Sequence, residues 1–384
     1  MLTSQRDLFA LPEDTHYLNC AYMSPIPKTV ADAGMTGIAR KQVPSQIMPE
    51  DFFTDSNRAR ALFAQLVNTP EAQRIAILPA VSYGMAVVAH NTLFEAGQNI
   101  VVAHEQFPSN VYPWHVVAQM HGLEVRTVKP PVRLHRGDEW STRILEAVDR
   151  NTVIVASAPV HWTDGTCFDL EAIGTRARDC DAAFIVDGTQ AVGAMPFDVE
   201  RLKPDALICA AYKWLLGPYS IGLGYFGPRY DGGKPLENHT FARVGSEDFR
   251  NLVNYSDQYR PGAERYDVGE HANFVLTPML IAALEQVLRW NLDEVQQYCR
   301  TLTAELFVEA EALGFGFERE KWRSAHLFGL YAPESVDLAT VFARLRERNV
   351  FVSLRGRALR ISPHLYNNAT DVAALVEVLR AESR

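Results

Sequence analysis

Two apolar runs joined by one loop, between Ile185 and Gly224, constrain this chain more than any other stretch. The segment reads IVDGTQAVGAMPFDVERLKPDALICAAYKWLLGPYSIGLG. An apolar run from Ala182 to Val186 ends in Asp187, and Gln190 follows shortly after. A second run, Ala206 to Ala211, delivers Tyr212 and Lys213, and Gly217-Pro218 closes the segment. Short apolar runs bounded by Gly, Pro and Asp read as buried strands. In an open α/β sheet, strand ends on one edge face the ligand crevice. A carboxylate and an amine delivered there by consecutive strands suit pyridoxal phosphate. Its aldehyde takes a lysine as a Schiff base, and its ring nitrogen takes an acidic partner. Taken singly, an Asp at a strand end is a turn or cap residue, and a Lys is a solvated surface charge. Neither ordinary role predicts a lysine that ends an apolar run.

The pattern D-x-x-Q-x-x-G followed by x-Y-K-x-x-x-G-P resembles the cofactor signature of the class V aminotransferase family. That family includes cysteine desulfurases, selenocysteine lyases, kynureninases and isopenicillin N epimerase. The resemblance covers essentially the whole chain and implies a fold-type-I pyridoxal 5′-phosphate enzyme of α/β class. It implies a large domain over 31–272 with a mainly parallel seven-stranded sheet. Residues 273–384 then form a linking helix and a small α+β domain, which the segment 1–30 joins while lining the site. The resemblance makes Lys213 the Schiff-base lysine and proton carrier, pairs Asp187 with the ring nitrogen, and sets Gln190 on the ring hydroxyl oxygen. Tyr212 replaces the His common in desulfurases and is similar to kynureninase. A phenol donates a hydrogen bond to phosphate as an imidazole does. Ala210 stands where many relatives carry Ser or Thr, so one phosphate contact is missing.

The rest of the chain adds candidates in order. YLNCAYMSPIP is extended, because Pro25 and Pro27 oppose helix, and the resemblance places Asn19 to Met23 at the mouth of the site. Asp51 to Leu66 has helical periodicity. A strand over Arg74 to Pro79 runs into the helix AVSYGMAVVAHNTL. Backbone amides and the helix dipole converge at such a junction and bind anions; Val81 and Ser82 are the phosphate candidates, and Ser82 also suits an N-cap. After a strand at Ile100 to Ala103 comes Phe107-Pro108-Ser109, the F-P-[ST] of kynureninase-like members, whose aromatic lies against the cofactor ring. Strands at Leu123 to Lys129 and Thr152 to Ala158 flank a helix at Ser141 to Val148. His161 and Trp162 then fall where the family places groups near substrate or cofactor, although desulfurases carry Asn at the Trp162 position. A helix at Asp169 to Cys180 leads into the central segment.

Beyond it, Arg229 to Arg260 has no periodicity and reads as a long excursion. The relatives' R-[FY]-[ED]-x-G-T appears as RYDVGE, with Glu270 in place of the Thr that reaches the other subunit's phosphate. Asn273 is the stand-in candidate. Glu270 is expected to pair with Arg265 or to cap the helix over Phe274 to Trp290. Helices at Leu292 to Leu313, Leu338 to Arg348 and Thr370 to Ala381, and a strand at Ala325 to Tyr331, complete the second unit. Arg360, in L-R-I-S-P-H-x-Y-N, resembles the family's substrate-carboxylate residue, with Arg355 and Arg357 as rivals. A planar guanidinium grips a carboxylate with two prongs.

A net charge of −9 disfavours a nucleic-acid partner, and no apolar run approaches the roughly 20 residues that span a bilayer. The five cysteines are scattered without C-x-x-C spacing. That argues against disulfides or a metal site and for a reducing cytoplasm, and the N-terminus shows no secretory pattern. Cysteine desulfurases hold a nucleophilic Cys on a loop just before the carboxylate-binding Arg; here that loop reads SLRGRAL. The resemblance implies a homodimer with its sites at the interface, acting on a small amino acid through a Schiff base. A lyase that breaks a C–S or C–C bond without a persulfide leads, with amino transfer or epimerisation as alternatives and a catalytically silent homologue as a third.

Overall fold

The structure, a computed structural model, describes residues 2–132 and 134–383. Its strands are β1 (His16–Tyr17), β2 (Ile75–Leu78), β3 (Asn99–Ala103), β4 (Glu124–Val128), β5 (Thr152–Ser157), β6 (Ala183–Asp187), β7 (Ala206–Ala210), β8 (Gly222–Phe226), β9 (Phe328–Tyr331), β10 (Val350–Phe351), β11 (Ser353–Arg355) and β12 (Ala358–Ile361). Seven of them form one sheet in the order β2-β8-β7-β6-β5-β3-β4. Only β8 runs against its neighbours; the other pairings are parallel. This is the mainly parallel seven-stranded sheet that the resemblance implies. The edge strand β4 is the least buried and carries Glu124 and Arg126, which discourages edge-to-edge pairing.

The helices are α1 (Lys28–Lys41), α2 (Asp51–Leu66), α3 (Val81–His90), α4 (Tyr112–His121), α5 (Gly137–Ala147), α6 (Leu170–Asp179), α7 (Val199–Leu202), α8 (Leu276–Arg289), α9 (Leu292–Ala312), α10 (Leu338–Glu347) and α11 (Ala369–Glu382). Alternate strand residues feed two cores, as a period of two requires. Leu78, Val102, Ile185 and Ile208 pack with Met85 and Val88 of α3 and Trp114 of α4. Ile77, Val101, Phe184, Val186 and Leu207 pack on the other face with Phe63 of α2, Ile144 of α5 and Leu284 of α8. A third core joins β9 and β12 to α9, α10 and α11, and Leu18 belongs to it. The N-terminal segment thus adds to this last unit, with β1 pairing parallel to β10.

Three expectations shift. Helix α5 begins at Gly137, ahead of Ser141, because the distant Glu318 carboxylate accepts from the amides of Arg136 (2.7 Å) and Gly137 (3.0 Å). Strand β9 starts at Phe328, not Ala325, because Ser324 Oγ donates to the Leu327 carbonyl and holds a turn there. Ahead of α8, the Oδ1 of Asn273 accepts from the amides of Val275 and Leu276. Glu270 does not cap this helix, and Arg265 donates instead to the carbonyls of Arg260 and Gly233. In RYDVGE the acid has a structural task. Asp267 is buried against Arg60 and accepts from the Ile77 amide at 2.7 Å, which anchors β2 ahead of α3. Gly165 joins the second unit to the sheet: its φ is +76° and a Cβ there would overlap the Leu327 carbonyl.

Candidate active site

The carboxyl-terminal ends of the parallel strands open on a cavity of about 310 Å³. It is lined by Val81, Ser82, Phe107, Trp162, Asp187, Gln190, Tyr212 and Lys213, together with residues that the sequence did not single out. Asp187 is the last residue of β6, and Lys213 follows β7 by a short turn. Gly193 lets this turn close: with φ at +96° it brings its backbone against the Trp214 carbonyl, where a side chain would clash.

The electrostatics are set by burial. Lys213 is 5% exposed. Burial draws its amine down from 10.5 to about 8, Arg360 and Arg355 push the same way, and Asp187 opposes them. The amine lies 5.1 Å from the centroid of the Phe107 ring and 5.4 Å from that of Tyr212. Burial raises the carboxyl of Asp187, while Thr189 and Lys213 hold it down. Its Oδ1 accepts from the Thr189 amide at 3.0 Å. A buried carboxylate to which no described cation is bonded suits a protonated ring nitrogen.

Gln190 is held from three sides. Its Oε1 accepts from the Trp214 indole (2.9 Å), its Nε2 donates to the Ala21 carbonyl (3.2 Å), and its own carbonyl accepts from His326 (2.8 Å). One Nε2 hydrogen stays available. Helix α3 has no side-chain cap, and its first residues, Val81 and Ser82, whose amides have no intrahelical acceptor, line the cavity. Gln106 Nε2 is buried without a partner. An amine, a buried acid, an aromatic ring, an uncapped helix start and an orphaned donor around one cavity fit the aldehyde, ring nitrogen, ring face and phosphate of pyridoxal phosphate.

A second cavity opens beside the first and shares Phe107, Trp162, Tyr212, Lys213 and Tyr219 with it. Ala21, Tyr22, Met23, Arg355 and Arg360 form its outer wall. Arg360 is 1% exposed, and burial lowers its guanidinium to about 9, aided by Arg355. It donates to the Trp162 carbonyl (2.9 Å) and to Ser353 Oγ (3.3 Å), while its Nε is unpartnered. Asn19 lies behind this wall. Its Oδ1 accepts from Ser353 Oγ at 2.8 Å, so it steadies the group that steadies Arg360. His161 is fully buried, with Nδ1 on Thr163 Oγ1 (2.7 Å) and Nε2 on the His104 carbonyl (3.0 Å). Asn273 is exposed and away from both cavities of its own chain.

Thr189, Gln106, Tyr219 and Ser220 are among the lining residues that the sequence did not single out. Gln106 adjoins Phe107, and Ser220 follows Gly217-Pro218 with a φ of +65°; a Gly-Pro pair just past the lysine was the available signal.

Residues 17–375 match the aminotransferase class-V family. The chain belongs to that family. With membership comes the family's cofactor, and the protein is a pyridoxal-phosphate enzyme. An uncharacterized aminotransferase of Schizosaccharomyces pombe is 26% identical over 85% of this chain and 81% of its own length. A probable cysteine desulfurase of Pyrococcus abyssi is 29% identical over 84% of this chain and 81% of its own. Among solved structures, a cystine C–S lyase with glycine covalently linked to its pyridoxal phosphate superposes with a TM-score of 0.87. That match has 17% identity and covers 98% of this chain and 99% of the other, so it speaks to the fold. Among the described residues no helix is long and apolar enough to cross a membrane.

Proposed function

We propose that this protein is a pyridoxal-phosphate lyase that breaks a C–S or C–C bond of a small amino acid without forming a persulfide on the enzyme. The observation that carries this reading is the hairpin ahead of Arg360. Strands β11 and β12 pair from Ser353↔Arg360 to Arg355↔Ala358, so only Gly356 and Arg357 lie in the turn. Such a turn leaves no loop that could bring a thiol to the substrate. Cys20, Cys209 and Cys299 are buried, and burial pushes each thiol above its ordinary value.

When bound, pyridoxal phosphate supplies an aldehyde for the substrate amine and a protonated ring that draws electrons from Cα. The chain's residues do the rest. Arg360 binds the α-carboxylate, with Ser353 and the Trp162 carbonyl fixing the fork of its guanidinium. Lys213 takes the Cα proton; an amine drawn down to about 8 is a competent base near neutrality. Asp187 would keep the ring nitrogen protonated. Phe107 would pack on the ring face, and the α3 amides with Tyr212 would hold the phosphate.

Amino transfer is the second reading, favoured because relatives named as aminotransferases align along most of this chain. Purified loaded protein, incubated with single amino acids, separates the two. A lyase releases ammonia and a keto acid or alanine with no added acceptor. Turnover only when a keto acid is supplied would overturn the lyase reading. Loss of optical purity alone would indicate epimerisation, and no spectral response to any amino acid would indicate a silent homologue.

A further inference from the structure

Arg355 has no task in the chemistry above, yet it shares the outer cavity with Lys213 and Arg360. In the β11–β12 hairpin, Ser353 opposes Arg360 and Arg355 opposes Ala358. Opposed residues of an antiparallel pair, and residues two apart along a strand, project from one face. Ser353, Arg355, Ala358 and Arg360 therefore share a face, and the two arginines are diagonal neighbours about 7–8 Å apart.

Among the described residues neither guanidinium has a carboxylate partner. The titratable groups that bear on them are phenols, Tyr22 on Arg355 and Tyr17 on Arg360, besides Arg355 acting on Arg360 itself. Each has a buried Nε without a partner among the described residues. Arg355 spends one Nη1 bond on its neighbour's carbonyl, Leu354, at 2.9 Å. Its guanidinium lies 5.7 Å from the centroid of the Trp162 ring. Trp162 is itself fixed, by a 2.7 Å bond from its indole to the Glu105 carbonyl and an edge contact to Phe107 at 5.3 Å. The two connected cavities thus present Lys213, Arg355 and Arg360 against Asp187 alone. An α-carboxylate neutralises one of the two arginines, and the other remains for a second anion.

We propose that the substrate is an amino acid with an anionic group on its side chain, and that Arg355 binds this group while Arg360 holds the α-carboxylate. The inference rests on the pyridoxal-enzyme reading of the site. It is tested by titrating the loaded protein with L-aspartate, L-glutamate, L-asparagine and L-glutamine while following the cofactor's absorbance. The ratio of the amide's Kd to the matching acid's Kd is the readout. In the unaltered protein it is expected to be roughly tenfold or more, the size of one charge-assisted hydrogen bond. In Arg355→Gln it falls to near one, and in Arg355→Lys part of it survives. In Arg360→Gln both ligands weaken and the ratio stays. A ratio near one in the unaltered protein, or an undiminished ratio in Arg355→Gln, overturns the inference. If the amides bind as well as the acids, only this assignment falls; if no amino acid perturbs the cofactor, the enzyme reading falls with it.

Discussion

Replacing Lys213 by methionine should make the cofactor-free protein more stable at neutral pH. The amine is buried, and its pKa drops from 10.5 to about 8, chiefly through burial. Between those values the unfolded chain binds the proton more tightly than the folded one. Stability therefore rises with pH across that window, and below it the wild type carries the full cost. A shift of this size is worth about 3 kcal/mol at pH 7. Methionine keeps the apolar stem and removes the charge. That figure is already net of the attraction between the amine and Asp187. Urea unfolding of both proteins without cofactor, followed by tryptophan fluorescence, measures the difference. The variant should lead at pH 7, and the gap should shrink as the pH approaches 10.5. A variant equal to or weaker than the wild type at pH 7, or a gap that widens with pH, refutes the argument. The same burial raises the neutral fraction of the amine, the form that attacks an aldehyde, near neutral pH.

Two further outcomes follow from buried polar partners. Asp267→Ala leaves Arg60 buried without its counter-charge and strips the Ile77 amide of its acceptor. It should cost about 3–5 kcal/mol of stability by urea unfolding, and a loss under about 1 kcal/mol would remove Asp267 as the anchor of β2. Ser353→Ala deletes a hydroxyl that accepts from Arg360 and donates to Asn19. Steady-state kinetics should show KM up by roughly fivefold, or about 1 kcal/mol, with kcat within about twofold; a fall confined to kcat would contradict a carboxylate-holding role for Arg360.

What the sequence disclosed, and what it hid, divides by range. Asp187 and Lys213 end apolar runs, and a strand with two buried faces is among the plainest local patterns. The sheet and most helices were legible for the same reason. The cap on α5 was not, because its acceptor, Glu318, comes from beyond the central sheet. Gly137 and Asp138 are poor helix formers, and the distant carboxylate overrides that preference. The bond between Asn19 and Ser353 joins the two ends of the chain, and no local spacing announces it. Asn19 therefore read as a lining residue, whereas its side chain sits behind the arginine. Gln106 shows the opposite failure: its signal was local, yet an orphaned donor is visible only once the fold has buried it. The two-residue turn at Gly356 and Arg357 made the missing cysteine loop structural, where the sequence offered only the lack of a letter.

The most direct measurement is the location of the covalent cofactor. The loaded protein is reduced with borohydride, digested, and its peptides sequenced by mass spectrometry. The account predicts a phosphopyridoxyl group on Lys213, absent from Lys213→Ala. The same group on a different lysine, or a protein that takes up no pyridoxal phosphate, would contradict it.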